Sequence, residues 1–187
     1  MGQAKRFLEL KEQILERVDL SREVPDEEMQ ELIDEVVLTY GKEQHLSLNE
    51  RCRLKKELFY ALRKMDVLQE LLEEPDVTEI MVNGMDGIFL EKGGKLSHWE
   101  KNFYSRERIL DIVQQMIGAC NRVVNESMPI VDARLENGDR VHVVLPPVAV
   151  NGPIITIRRF PKEPITMQKL LELHSLSEEE AYFLKNA

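Results

Sequence analysis

The chain has 187 residues, 25 Lys+Arg against 34 Asp+Glu, two cysteines, 43% hydrophobic residues and a formal net charge of −9. That length allows one large domain or two small ones with a packed core, and the bulk acidity argues against a nucleic-acid or anionic-membrane binder. No apolar run approaches the roughly 20 residues that span a bilayer, the polar start MGQAKRFLELKEQ lacks a signal-peptide core, and Cys52 and Cys120 suggest neither a disulfide framework nor a metal-ligand pair.

Residues 1–74 carry 12 basic and 18 acidic side chains, only two glycines and one internal proline. Their apolar residues recur at helical spacing, which predicts a small helical bundle. Phe7, Leu10, Ile14 and Val18 form one stripe. Met29, Leu32, Ile33, Val36, Val37 and Tyr40 form a second, and Leu54, Leu58, Ala61, Leu62 and Met65 a third. Pro25-Asp26 opens the second helix, Gly41 is expected to close it in a left-handed conformation, and Ser47 with Glu50 forms a capping box for the third. A last amphipathic segment, 67–72, runs to Pro75.

Beyond Pro75 the period changes from helical to alternating. Residues 77–82 end at Asn83-Gly84 and residues 88–91 at Gly93-Gly94, predicting two antiparallel strands. Ser105 is the expected N-cap of a helix with Ile109, Ile112, Val113, Met116, Ile117 and Cys120 on one face. Three more strands are expected at 130–135, 140–145 and 154–160. Strands on both sides of one helix predict an α+β fold with an antiparallel sheet packed on that helix. Ser177 and Glu180 form another capping box, but its helix has only Ala181, Tyr182, Phe183 and Leu184 as apolar residues before Ala187. So short a helix needs a surface to cover, and the expectation is that the chain ends just inside a further domain.

The standard catalytic motifs are missing: no phosphate loop, no Gly-x-Gly-x-x-Gly, no His-Glu-x-x-His and no Gly-x-Ser-x-Gly. His45, His98, His142 and His174 are scattered, and no metal site is expected. The charge distribution is more informative. Residues 128–162 carry five basic side chains (Arg134, Arg140, Arg158, Arg159, Lys162) and three acidic ones, a local excess inside an acidic chain.

Strand geometry sharpens this excess. Val131, Ala133 and Leu135 share one face of their strand, with Asp132 and Arg134 on the other; Val141, Val143 and Leu145 oppose Arg140, His142 and Val144. Matching polar face to polar face pairs Arg134 with Arg140 and Asp132 with His142. That register requires a three-residue loop, Glu136-Asn137-Gly138, with Gly138 left-handed. Two arginines side by side are unfavourable unless an anion lies between them. The bland reading is that Asp132, Glu136 and Asp139 neutralise them. The functional one is that they converge on a phosphate, which suits guanidinium forks. Arg158 and Arg159 point to opposite faces, so at most one can join the cluster. Glu126 pairs with one of these arginines or is a solvated loop acid.

The wording of the sequence adds a resemblance. Residues 75–84 (PDVTEIMVNG), 126–135 (ESMPIVDARL), 137–141 (NGDRV) and 156–160 (TIRRF) closely resemble the type II/IV secretion ATPase superfamily, the Tad/Flp-pilus (CpaF-type) branch above all. The chain has Asn121-Arg122-Val123-Val124-Asn125-Glu126 where that family commonly has Gly-Arg-Arg-Val-Asp-Glu, and lacks the Gly- and Pro-containing approach at 64–68. The resemblance implies an N-terminal helical bundle (1–74), a PAS-like domain (75–162), and a linker with the truncated start of a RecA-like domain (163–187). It implies a cytoplasmic ring hexamer at the inner face of the bacterial cytoplasmic membrane, driving secretion or pilus assembly through inner-membrane platform proteins.

ATP with Mg²⁺ would be used by the full-length protein, and no tightly bound cofactor is expected for this chain, whose phosphate loop would lie beyond Ala187. In that family arginines of the N-terminal domain reach the nucleotide phosphates. The resemblance carries this role onto Arg134 and Arg140, assigned to catalysis and nucleotide binding, with Arg158 or Arg159 also contacting the nucleotide. Neighbouring subunits and the chain's own RecA-like domain are the implied partners. The rivals are a free-standing PAS-like sensor, which needs an enclosed apolar pocket and a complete C-terminus, and an independent enzyme using Glu126, Asp132 and His142.

Overall fold

The computed structural model describes residues 3–19, 21–22, 24–160 and 165–186. Lys162 therefore lies outside the described residues. Three helices, α1 (Gln3–Arg17), α2 (Asp26–Glu43) and α3 (Leu48–Arg63), bury their expected stripes against one another, with Leu10, Ile14, Met29, Ile33, Val37 and Leu58 in a shared core. The capping box at the start of α3 is present: Glu50 N donates to Ser47 Oγ and the Glu50 carboxylate accepts from Ser47 N at 2.8 Å. Gly41 departs from expectation. It lies inside α2, and the left-handed residue beyond the helix is His45, φ 53°. The glycine admits Arg51 instead: a Cβ at Gly41 would come within 2.7 Å of Arg51 Nε, and Arg51 donates to Leu46 O, beyond the helix end, and to Gly41 O, which also accepts from Leu46 N.

The rest of the chain is an antiparallel sheet with one covered face. After α4 (Leu68–Glu73) come β1 (Val77–Asn83), β2 (Ile88–Lys92), β3 (Lys95–His98), α5 (Arg106–Ala119), β4 (Ile130–Arg134), β5 (Arg140–Val144), β6 (Ile154–Arg158), α6 (Met167–Glu172) and α7 (Glu178–Asn186). The strands form one six-stranded sheet in the order β3-β2-β1-β6-β5-β4. The fold class is α+β, as expected. Strand β3 was not foreseen. It is an edge strand exposed at every position, so it shows no apolar alternation, and Gly93 and Gly94 turn into it with positive φ at both positions.

One face of the sheet is closed by helix. Ile80, Val82, Val141, Val143, Ile155 and Ile157 pack with Ile109, Ile112, Val113, Met116 and Ile117 of α5 and with Leu68 and Leu71 of α4. Because side chains alternate, this buried set, with Ile88 and Leu90 of β2 and the partly buried Val131 and Ala133 of β4, fixes the register of every strand but β3 and sends the intervening residues to the outer face. Segment α4, upstream of the change in period, thus belongs to the core of the sheet. Ser105 caps α5 by accepting from Arg108 N, as its sequence predicts.

Polar contacts join the two cores. Arg108 donates through Nε to Asp66 Oδ2 at 2.6 Å and through Nη2 to Ala61 O at 2.7 Å, with the Asp66 and Arg108 side chains only 6% and 12% exposed. Lys101 bridges Glu57 and Glu70 at 2.8 and 2.9 Å, and Lys11 donates to Tyr104 Oη. The substitution Asp66→Asn keeps a side chain that tolerates the left-handed backbone (φ 54°) but leaves Arg108 buried without its counter-charge. We expect it to lower stability by about 3 kcal/mol, read as a drop in the urea unfolding midpoint; an unchanged midpoint means that the joint does not depend on this pair.

Candidate anion-binding site

The β4–β5 hairpin adopts the expected register. Arg134 pairs with Arg140 and Asp132 with His142. Leu135 N donates to Asp139 O at 2.8 Å, closing the three-residue loop in which Gly138 has φ 91°. The neighbouring ladder extends the row. Arg140 faces Arg158 across β5 and β6, and Arg158 faces Glu79 across β6 and β1. Neighbouring strands lie about 4.8 Å apart, so Arg134, Arg140, Arg158 and Glu79 form a line across the outer face.

Nearby acids do not neutralise the first two arginines. Asp132 Oδ1 accepts from His142 Nδ1 at 2.8 Å in the tautomer that carries its proton there. Glu79 pairs with Arg158 Nε at 3.2 Å. Asp139, grouped above with the outer-face acids, is 2% exposed and belongs to the inner face, in step with Val141 and Val143. Among the described residues, no carboxylate oxygen lies within 4.0 Å of the Arg134 or Arg140 guanidinium. Both side chains are on exposed residues and free to meet an anion from solvent or from a facing domain.

Arg158 and Arg159 separate as alternation requires. Arg158 is on the outer face, its side chain 73% exposed. Arg159 turns inward, where its Nε stands 3.1 Å from Asp139 Oδ2 as an ion pair and its Nη1 donates to Leu71 O and Glu74 O at the end of α4. Its place is therefore a structural weld between sheet and helix. Two residues of the site were missed in sequence. Phe160 follows Arg158 by two positions, and its ring centroid lies 5.7 Å from Arg134 Cζ; the alternation itself was the available signal. Glu79 joins the row only because β1 neighbours β6, a pairing that no local pattern reveals.

The rival sites fare differently. Asp132 and His142 are bonded, but Glu126 sits in the turn closed by Asn125 and Met128 and makes no hydrogen bond to either among the described residues. The space between sheet and α5 is filled by the protein's own side chains, with Ile80, Val82, Ile112 and Ile155 at 0% exposure. A cleft of about 610 Å³ opens instead between the helical bundle, the start of α4 and the loop before α5, lined by Phe7, Tyr40, Leu54, Tyr60, Lys101 and Tyr104, and none of the four arginines lines it. No group of three or more potential metal ligands occurs among the described residues. Nor is any described helix long and apolar enough to cross a membrane.

Comparison with known proteins is specific. A family profile described as "Type II/IV secretion system protein" matches residues 61–187. An uncharacterised protein of Methanocaldococcus jannaschii is 26% identical over 156 residues, covering 83% of this chain and 22% of its own length. A putative conjugal transfer protein of Mycobacterium tuberculosis is 26% identical over 98 residues, covering 49% of this chain and 28% of its own. Type IV secretion system protein VirB11 of Brucella suis is 25% identical over 96 residues, covering 51% and 27%. The chain thus spans about a quarter of the length of the curated relatives it matches. The crystal structure of the Brucella suis VirB11 ATPase in complex with sulphate shares the fold, with TM-score 0.52 and 21% identity over 58% of this chain and 34% of that one.

Arg140 lies between two like charges in its ladder, which costs stability when no anion is bound. Replacing it by Ala is expected to leave the fold intact and to raise stability by on the order of 0.5 kcal/mol at low salt, the gain fading at high salt as screening lengths shrink. Urea unfolding at the two ionic strengths checks this, and a marked loss of stability would mean that Arg140 has a structural partner.

Proposed function

Because the chain belongs to the type II/IV secretion system protein family, we propose that it is the N-terminal regulatory and nucleotide-capping portion of a hexameric ATPase that powers type II/IV-like secretion or Tad/Flp pilus assembly. In this reading residues 1–74 supply the helical bundle, with α4 at their end packed on the sheet, 75–162 the PAS-like domain, and 163–187 the linker and truncated start of the RecA-like domain. One observation carries the reading: Arg134 and Arg140 stand paired on an outer sheet face with no carboxylate within 4.0 Å among the described residues, while Asp132 and Asp139 have other partners.

The residues present fit the phosphates of ATP. Two guanidinium groups on adjacent strands offer permanent charge and a fork of donors each, the geometry that suits phosphate oxygens. Being fixed on a sheet, they need little reorganisation as negative charge develops during phosphoryl transfer, which is the condition for electrostatic catalysis. Arg134 and Arg140 meet the phosphates directly. Arg158, held by Glu79, stands next in the row, and Arg159 supports the sheet from within. The phosphate loop and the Mg²⁺ ligands are supplied by the RecA-like domain, so this chain alone does not hydrolyse ATP. Closure of one rigid domain over the other brings the arginines to the nucleotide. In this reading the hexamer works at the cytoplasmic face of the inner membrane, on platform proteins of a secretion or pilus system.

The test uses the full-length protein. Arg134→Ala and Arg140→Ala are each expected to leave the assembly folded while lowering kcat for ATP hydrolysis by roughly 10²-fold; wild-type turnover in both variants removes the assignment.

A further inference from the structure

An exposed arginine is a poor phosphate receptor if its long side chain wanders, because every rotamer lost on binding weakens the complex. Arg134 is not left to wander. Its guanidinium carbon lies 5.7 Å from the centroid of the Phe160 ring, within the range of a cation–π contact. Glycine at 138 makes room for this arrangement: a Cβ there would lie 3.3 Å from Phe160 Cγ and 3.7 Å from Arg134 Nη2, at a backbone φ of +91° that favours glycine.

The ring itself is anchored from inside the protein. Phe160 N donates to Asp139 Oδ1 at 2.7 Å. Asp139 Oδ2 accepts from Asn137 Nδ2 at 2.9 Å and faces Arg159 Nε at 3.1 Å. Arg159 is in turn held by the carbonyls of Leu71 and Glu74. A buried ion pair thus fixes the backbone of a residue whose own side chain is on the surface, since Phe160 is 57% exposed. An exposed aromatic ring tied down in this way is not explained by core packing.

We propose that Phe160, anchored through Asp139, is a positioning residue that presents the Arg134 guanidinium to phosphate. The proposal rests on the phosphate reading of Arg134 and Arg140, and the experiment separates the two. Inorganic tripolyphosphate is titrated into the 187-residue chain by calorimetry, with the side-chain resonances of Arg134 followed in parallel by NMR. Phe160→Leu keeps apolar bulk and loses the π face; Phe160→Tyr keeps the face.

Phe160→Leu is expected to weaken tripolyphosphate binding about threefold to fivefold and to abolish the ring-current shift of the Arg134 resonances, while Phe160→Tyr restores both. In an Arg134→Ala background Phe160→Leu should cause no further loss, because the pair acts as a unit. Equal weakening in both backgrounds, undiminished binding by Phe160→Leu, or Arg134 resonances indifferent to the substitution each overturn the positioning role. If Arg134→Ala and Arg140→Ala bind tripolyphosphate as the parent chain does, it is the phosphate reading that falls, whatever the resonances show about the ring.

Discussion

The closed inner face of the sheet is the constraint on which the remaining structure depends. Ile80, Ile155 and Ile157, with Val82, Val141 and Val143, are committed to α5 and α4, and a slip of one residue in β1, β5 or β6 would turn that strand's share of the set to solvent. With the register locked, every residue between them is committed to the outer face. Arg134, Arg140 and Arg158 therefore line up across three strands as a consequence of burial elsewhere. Their mutual repulsion opposes the arrangement but is small beside the burial of about a dozen aliphatic side chains, each favoured by roughly 1.5–3 kcal/mol.

Partition of the acids gives the row its character. A carboxylate beside each arginine would make an ordinary solvated surface, and the sequence contains enough of them nearby. Alternation disposes of Asp139 by sending it to the inner face, where its charge is matched by Arg159 and its oxygens by Phe160 N and Asn137. The imidazole of His142 occupies Asp132. What is left on the outer face is a pair of cations with no carboxylate in contact among the described residues, followed by a third that Glu79 already satisfies. The same period of two thus separates the arginine that binds the protein to itself from those that are open to an anion.

The legible part of the molecule was whatever a local pattern encodes. Helical stripes, the Ser47–Glu50 box, the Ser105 cap and the β4–β5 register all depend on residues within a few positions of one another. The illegible part depended on distant pairing. Gly41 reads locally as a helix end, yet its function is to admit Arg51 ten residues on. Strand β3 exposes all four residues and is placed by its pairing with β2, which a window of sequence cannot see. Glu79 enters the arginine row through the β1–β6 pairing, 79 residues from Arg158. Asp139 is the instructive middle case, since the alternation that placed Val141 and Val143 inside already placed it with them; only its acidity suggested otherwise.

Burial of Asp139 and exposure of the arginines are two sides of one arrangement. The carboxylate that could have quenched Arg134 is spent on Arg159, and Arg159 is spent on the terminal carbonyls of α4. The Asp139–Arg159 pair is shielded from water, its side chains 3% and 11% exposed, and breaking one member leaves an uncompensated charge. The order of the interior is thus passed outward through the backbone of Phe160 to a surface guanidinium that has no polar anchor of its own among the described residues. A receptor for a mobile anion needs both properties at once, an open charge and a fixed position. In this sheet the first comes from where the acids are not, and the second from where one of them is.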